Sequence, residues 1–457
     1  MTTSSYRLSA ERVTQAILVA GFLLVIAANM PGHLSNDSVR QLHEAHLGVR
    51  ETWGPVVYAA ILGVFDQIVP GTGLYLVCSI FLLFATLWGL MRLCTRVSWF
   101  APVVALVLVA SPTVMLYQGI VWKDVLFANL GVASFVILAH VARLWRAGSK
   151  PWLAIATLIV ALALAAQVRQ NGSVIVIVAG LTLVWNLRNL GWARALTWGI
   201  GLIASVLVVS QGLSVICKPA KSQVEGLESQ GFRSIFQYDI LGTVAHDKSL
   251  RLSVIETYDP VKERNILTYA VPLYAPERID FISLDPRGEG AIGAVPTDVL
   301  ARQWVDLVTR HPLTYLSHRL DVFRETFMTP NIDSCIPIFV GVDGPKAELE
   351  DLRIPLSVDP TDQKLYNYSS QFLDTPFFSH IAYGLIGALS VTLLCFRKTC
   401  IDVAIIGMVV AGFAFASTFF LISIACDYRY IYFLDLASIV SLFYLSLDPP
   451  HIRFRAD

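Results

Sequence analysis

The chain has 457 residues, of which 55% are hydrophobic and only 15% are charged, and its mean hydropathy is +0.61. A soluble domain carries about 25% charged residues, so this composition excludes an ordinary soluble protein and predicts an integral membrane protein. The formal net charge is +0, so no strong attraction to nucleic acid is expected. The 7 cysteines show neither metal-ligand spacing nor a redox CxxC motif.

Apolar stretches of about 20 residues, the length that crosses a bilayer, follow one another along most of the chain. The first lacks a small-residue cleavage site after it, so it is interpreted as a membrane span and not as a signal peptide. The expected fold is an all-α polytopic membrane protein with about ten spans. They are predicted at 13–30, 71–92, 98–116, 125–143, 151–166, 172–187, 195–216, 377–396, 401–424 and 430–446.

One further apolar stretch, 55–69, is ambiguous because it is short and contains Asp66 and Gln67. If this stretch does not cross, most Lys and Arg residues of the short loops fall on the same side as both termini. The positive-inside rule then places that side in the cytoplasm. We therefore expect 55–69 to be a re-entrant or juxtamembrane helix on the outer face of the inner or plasma membrane, covered by protein.

These spans divide the chain into three predicted regions. Residues 1–216 form an N-terminal transmembrane module with seven spans, and residues 377–457 form a C-terminal module with three spans. Between them lies a polar region, 217–376, which is long enough for an extracytoplasmic domain of mixed secondary structure.

Within that polar region, two helices are predicted between residues 296 and 326. They are interrupted at His311-Pro312, because proline cannot continue a helix and restricts the residue before it. The second helix carries one apolar stripe at helical spacing. Its members are Leu313, Leu316, Leu320, Phe323 and Phe327.

Dense polar groups occupy four short loops that this topology places on the outer face. Charged groups at a membrane boundary are costly unless they are paired or face a watery cavity, so their clustering predicts a functional site. The loops are Asn36-Asp37-Ser38, Trp122-Lys123-Asp124, Arg169-Gln170-Asn171 and Asp427-Tyr428-Arg429-Tyr430.

The chemistry that suits these loops is sugar transfer from a lipid-phosphate donor, since such donors are present at the outer face. The reaction needs a carboxylate to accept the acceptor's proton and cations to stabilise the departing phosphate. Asp37 is the candidate catalytic base. The candidate substrate-binding residues are Lys123, Asp124, Arg169, Asn171, Arg429, Trp122 and Tyr428, with Trp53 as a further aromatic residue.

An Asp soon after the first span, followed by Trp53-Gly54-Pro55 at the start of an apolar helix, resembles the GT-C superfamily of polyprenyl-phosphate-sugar-dependent glycosyltransferases. Trp122-Lys123-Asp124 and Arg169-Gln170-Asn171-Gly172 resemble loops of bacterial membrane proteins of this type, and Trp304 to Arg319 resembles part of their outer region. The resemblance implies transfer of a sugar from a polyprenyl-phosphate donor to a cell-envelope glycan or lipid acceptor. It implies no cofactor, because the sugar donor is a co-substrate. Whether a divalent metal is needed is left open.

Alternatives remain for individual residues. Asp37 could instead cap the helix that it begins, and Lys123 could pair only with Asp124. His43 and His46 could contact a metal, although a solvated interfacial face is the favoured interpretation.

Three further expectations concern structure. Asp435 is expected to face the interior of the helix bundle and pair with a polar neighbour, and Arg319 is expected to be a structural ion-pair residue. Cys217 and Cys335 both lie in the region expected outside, so they are candidates for a disulfide bond.

Two rival functions also remain. An O-antigen-type polymerase would rely on arginines in large outer loops. A lipid or glycan flippase or transporter would show inverted repeats and polar groups near the midplane. The polar groups here gather at one face, which favours an enzyme.

Overall fold

The structure is a computed structural model that describes residues 9–219, 221–222 and 227–449. Helices account for 77% of the described residues, as the sequence predicts. The N-terminal region contains α1 (Ala10–Asn29), α2 (Asn36–Leu47), α3 (Val56–Ile68), α4 (Gly73–Met91), α5 (Phe100–Ala110), α6 (Pro112–Met115), α7 (Lys123–Arg146), α8 (Trp152–Val168), α9 (Ser173–Leu187) and α10 (Trp192–Ile216).

The middle region, expected to have mixed secondary structure, is mainly helical in the residues that the structure describes, with one two-residue strand at its start. Its helices are α11 (Leu227–His246), α12 (Ser253–Tyr258), α13 (Pro260–Asn265), α14 (Pro286–Gly293), α15 (Thr297–Arg310), α16 (Pro312–Met328), α17 (Lys346–Asp351) and α18 (Pro360–Ser370). The C-terminal region contains α19 (His380–Arg397), α20 (Cys400–Ile422) and α21 (Tyr432–Leu447).

Short elements connect these helices. The two strands, β1 (Val49–Arg50) and β2 (Lys221–Ser222), form one parallel pair. A π-helix spans Ile266–Ala270. The 3-10 helices are Tyr117–Gly119, Arg188–Leu190, Val271–Leu273, Ile279–Leu284, Ile332–Cys335, Pro376–Phe378 and Tyr428–Ile431.

Eight of the ten predicted spans are helices long and apolar enough to cross a membrane, so this is a multi-pass membrane protein. The predicted span at 98–116 is a pair of helical segments, because the chain bends by 57° between α5 and Pro112–Gly119. Pro112 has no N–H to continue the helix, and Ser111 before it takes an extended ψ of 129°. Helices α3 and α8 are apolar but have 13 and 17 residues.

Two spans form the centre of the bundle. Within α7 and within Tyr428–Leu447, 89% of the most apolar window is buried, as expected for helices that other helices surround. Both begin at the same end of the bundle, which we call the polar end. Helix α2 lies there, and α16 and the residues around Arg278 pack there against α20 and the segment that follows it.

The middle region does not form one unit. Residues between Ile240 and Leu307 build a second hydrophobic core around α11, α12 and α15. In contrast, Leu349 and Leu365 belong to the main core of the bundle, and α17 and α18 pack against α2 and α1. The predicted interruption at His311-Pro312 is confirmed, since α15 ends at Arg310 and α16 begins at Pro312.

Candidate functional site

Helix α2 is anchored at its N-terminus to the chain that leads into α7. The Ser38 hydroxyl donates to the Val121 carbonyl over 2.6 Å, and the Trp122 indole donates to the Ser35 hydroxyl over 2.8 Å. At the other end of α2, the Glu44 carboxylate accepts hydrogen bonds from the backbone N–H groups of Glu51 and Thr52. Hydrogen bonds near both ends thus hold α2, including its first turn, in a fixed position.

Asp37 occupies that first turn, and its carboxylate accepts a hydrogen bond from the Arg429 guanidinium over 2.7 Å. The N-cap position belongs to Ser35, and Asp37 is directed toward Arg429, so capping does not describe its contact. Attraction to Arg429, assisted by Lys123, lowers the pKa of Asp37 to about 2. The carboxylate is therefore ionised at neutral pH.

Arg429 is the centre of a chain of alternating charges. Besides Asp37, it contacts Asp427 at 3.1 Å and lies 4.0 Å from the Asp124 carboxylate. Asp427 also pairs with Arg278. The Arg429 guanidinium carbon lies 4.7 Å from the ring centroid of Trp122, so a cation–π contact holds the planar group from one side.

The chain of charges continues from Asp124 to Arg169, which are 2.7 Å apart and almost fully buried. The Arg169 guanidinium also lies over the rings of Tyr430 and Phe419, at 5.1 and 5.4 Å from their centroids. Asp124 thus holds two arginines. The alternative that Lys123 and Asp124 pair only with each other does not hold, because adjacent residues at the start of a helix point in different directions.

One side of Arg429 faces a cavity of about 330 Å³, which we call the acidic cavity. Its walls come from the start of α2, the segment around Arg278, the loop around Asp343 and the segment after α20. Trp122 and Phe339 supply aromatic surface. The charged residues that line it are Asp37, Asp280, Asp343, Asp427, Arg278 and Arg429.

A second cavity of about 540 Å³, which we call the basic groove, lies on the side of Arg169. Its polar lining includes two arginines and two amide side chains, and its apolar lining comes from α11, the end of α20 and Tyr430. The lining residues used below are Arg50, Arg169, Gln170, Asn171, Phe232, Phe419, Ile422 and Tyr430. The Asn171 amide donates to the Thr418 hydroxyl over 2.7 Å.

Lys123 lies between these two cavities without lining either one. It is half-buried, and its Nζ atom lies 5.5 Å from the Trp53 ring centroid. Its electrostatic neighbours include Asp37 and Asp124, but among the described residues no carboxylate lies within 4.0 Å of it.

Tyr428 lies away from both cavities, although the sequence placed it among the substrate-binding residues. Its side chain is fully buried, and its ring stacks on His380 with centroids 4.0 Å apart. His380 bonds both oxygens of Asp435 at 2.9 Å. This confirms that Asp435 faces the bundle interior with a polar partner.

The two histidines of α2 bind carboxylates. His43 is buried and lies 3.3 Å from Glu51 and 3.2 Å from Asp351. His46 is half exposed and pairs with Asp66. The favoured interpretation of a solvated face is therefore correct for His46 only. In the described ranges, no group of three or more His, Cys, Asp or Glu residues is arranged to hold a metal ion.

Arg319 is the structural ion-pair residue that the sequence predicts. It is fully buried, its guanidinium lies 2.6 Å from Asp239, and it also donates to the Ser423 carbonyl over 2.8 Å. His318 and the Trp304 indole bond the same carboxylate at 2.9 and 2.6 Å. The motif from Trp304 to Arg319 thus joins the middle region to the end of α20.

The candidate disulfide between Cys217 and Cys335 does not form, since Cys335 pairs with Cys426 and Cys217 is free. Near that bond, Arg278 and Ala425 form an antiparallel bridge. These links hold the segment that carries Asp427 and Arg429 against the middle region.

Several residues of the site were not singled out from the sequence, among them Arg278, Asp280, Tyr430 and Phe419. Arg278 and Asp280 lie in a stretch bounded by turn signals and without a pattern that points to function. Tyr430 belongs to one of the four predicted polar loops, but the loop sequence does not distinguish it from Tyr428. Phe419 ends an apolar span, and only its position one turn before the end of α20 could have indicated it.

The geometry is therefore a chain of alternating arginines and aspartates between an acidic cavity and a basic groove. Comparison of the chain with protein-family models, with curated proteins and with solved structures found no match.

Proposed function

We propose that this protein is an integral-membrane glycosyltransferase of GT-C type. It transfers a sugar from a polyprenyl-phosphate donor to a cell-envelope glycan or lipid acceptor. The polar end faces the outside of the inner or plasma membrane, and both termini lie in the cytoplasm, in keeping with the positive-inside rule. The observation that carries the proposal is the Asp37–Arg429 ion pair at 2.7 Å, which lines the acidic cavity. Asp124 links Arg429 to Arg169 of the basic groove.

The basic groove suits the donor. A polyprenyl phosphate combines an anionic group with a long apolar chain, and the groove combines Arg169 with apolar surface from Phe419 and Ile422. Arginine binds phosphate oxygens with two parallel N–H groups. Arg169 is already fixed by Asp124, so little side-chain freedom is lost when the phosphate binds.

The acidic cavity suits a hydroxyl-bearing acceptor. Carboxylates accept hydrogen bonds from sugar hydroxyls, and Asp37 lies where this cavity meets Arg429. In the reaction, the acceptor hydroxyl loses its proton to Asp37 as its oxygen bonds to the anomeric carbon of the sugar. The bond from that carbon to the phosphate oxygen breaks, and polyprenyl phosphate leaves with the electron pair.

Arg429 connects these two events. In the structure it holds Asp37 as a strongly stabilised carboxylate, which is a weak base. A donor phosphate bound near Arg169 competes with Asp37 for the Arg429 guanidinium. When Arg429 turns toward the phosphate, Asp37 loses its partner, its pKa rises and it becomes a better base. Binding of the donor phosphate therefore activates the base.

The test uses the full-length protein in nanodiscs with a synthetic polyprenyl-phosphate sugar carrying a radioactive label. We expect Asp37→Asn to abolish transfer to membrane glycan or lipid acceptors, because the amide cannot accept the proton. The matched control is Asp298→Asn, which removes an exposed carboxylate paired with Arg302 on α15 and should retain full activity. Full activity of Asp37→Asn would overturn the proposal.

A further inference from the structure

Helix α16 has its polar face buried and its apolar face exposed. The leucines of the predicted apolar stripe have exposed fractions of 78% at Leu313, 44% at Leu316 and 59% at Leu320. A helix that lies between a protein core and water shows the opposite arrangement. The buried residues of the helix are Tyr315, His318, Arg319, Val322, Glu325 and Thr326.

The rotation of α16 about its axis is fixed by its buried contacts. Arg319 and His318 both bond Asp239, and Arg319 also reaches the Ser423 carbonyl at the end of α20. Turning the leucines inward would leave Asp239 and Arg319 buried without partners, which is strongly unfavourable. The exposed apolar stripe is therefore a property of the folded protein.

The stripe continues into the surface of the membrane bundle. The rings of Phe323 and Phe420 on α20 lie 5.9 Å apart, and Phe327 stacks on Phe323 at 5.6 Å. The Phe327 ring lies 3.8 Å from the position that a Cβ at Gly384 of α19 would occupy. The neighbouring spans expose apolar side chains at their surfaces, among them Leu385 and Leu421.

The positive charge of Arg324 limits how deeply α16 can enter the bilayer. Arg324 follows Leu320 by one turn on the same face and is exposed. A guanidinium in the hydrocarbon core would be costly, whereas at the interface its long side chain can reach the phosphate headgroups. This pattern of leucines beside a basic residue is typical of helices that lie in the bilayer interface.

We infer that α16 is an interfacial helix that contacts the lipid bilayer through Leu313, Leu316 and Leu320. The partner is the boundary between headgroups and acyl chains. The middle region therefore rests on the membrane beside α19 and α20, in addition to its attachment through the chain. This inference does not depend on the proposed enzymatic activity.

The experiment measures the surroundings of a fluorescent label in nanodiscs. The five free cysteines, Cys78, Cys94, Cys217, Cys395 and Cys400, are replaced by serine or alanine, and the Cys335–Cys426 bond is kept. Leu316→Cys and Leu320→Cys are then labelled with an environment-sensitive dye. The matched control is Val261→Cys, which is exposed to a similar degree on α13, a helix that packs against α12 and α14.

We expect emission from residues 316 and 320 to shift to shorter wavelength and to be quenched by lipids that carry a quencher high on the acyl chain. Emission from residue 261 should be quenched by aqueous iodide instead. The inference is overturned if residues 316 and 320 behave like residue 261. It is also overturned if their labels resist both quenchers and respond to the number of protein molecules per disc, because a second copy would then cover the stripe.

Discussion

The Asp37 carboxylate and the Arg429 guanidinium are 2.7 Å apart in the structure, although 392 residues separate them in the chain. Asp37 follows the first long helix, and Arg429 begins the last one. About half of the Asp37 side chain is exposed, with a fraction of 48%, so the pair contributes only about 0–1 kcal/mol to stability. The pair is therefore important mainly because it keeps the Asp37 carboxylate ionised.

We expect Arg429→Gln to raise the pKa of Asp37 from about 2 toward the ordinary value of 3.8 or above, because its strongest electrostatic partner is lost. Carbodiimides modify protonated carboxyl groups, so Asp37 should become more reactive at mildly acidic pH. Peptide mapping by mass spectrometry measures this without any need for activity. Asp298 serves as the internal reference, and an unchanged Asp37 reactivity relative to it would contradict the assignment.

The same pair predicts how stability depends on pH. The folded-state pKa of Asp37 lies below 3.8, so its stabilising contribution is complete above that pH and disappears as the pH falls through about 2. In Arg429→Gln this contribution should be absent at every pH. Thermal unfolding in detergent at several acidic pH values compares the two proteins, and identical curves would show that the pair contributes nothing to stability.

Asp124→Asn should destabilise the protein by about 3–5 kcal/mol, since it leaves buried Arg169 and neighbouring Arg429 without a shared counter-ion. The loss is measured as a lower Tm in nanodiscs. Asp298→Asn, which breaks an exposed pair, should cost no more than about 1 kcal/mol. Equal Tm values for these two variants would show that Asp124 does not hold the arginines.

His318 predicts a second pH effect. Burial lowers its pKa below 6.5, against the opposing influence of Asp239. The unfolded state therefore binds a proton at a higher pH than the folded state does, and stability should fall as the pH drops below about 6.5. His318→Gln removes this titration, so its Tm should change less with pH. If the Tm of His318→Gln changes with pH as steeply as that of the wild type, groups other than His318 cause the pH dependence.

The cysteine pairing can be read from mass spectrometry. After denaturation without reductant, alkylation should modify Cys217 and leave Cys335 and Cys426 unmodified. Replacing both bonded cysteines by serine should lower the stability by about 2–4 kcal/mol. Modification of Cys335 without reductant would contradict the pairing.

The sequence predicts the helices and the gathering of the polar loops well. Apolar length identifies the spans, and the ends of neighbouring spans bring Asp37, Lys123, Arg169 and Arg429 to one end of the bundle. The break at His311-Pro312 was also predictable, because proline acts locally. These inferences depend on short-range rules or on counting which side each loop occupies.

The partners of individual side chains were not predictable in this way. Asp124 neighbours Lys123 in sequence but bonds Arg169, because the direction of each side chain depends on how α7 is rotated in the bundle. Tyr428 points into the interior and Tyr430 into the basic groove, and nothing in the loop sequence distinguishes them. The partner of Cys335 depended on how the middle region docks on the segment after α20.

That docking has a consequence for the order in which the protein is made. The ribosome releases Asp239, Arg278 and Cys335 well before the segment that contains Ser423, Cys426 and Asp427, with which they make contact. Residues 240–307 have their own core, so we expect this part to fold first and the late segment to pack against it afterwards. Arg429 would then reach Asp37 only when the last helix is in place, and a chain interrupted before that point would lack the site.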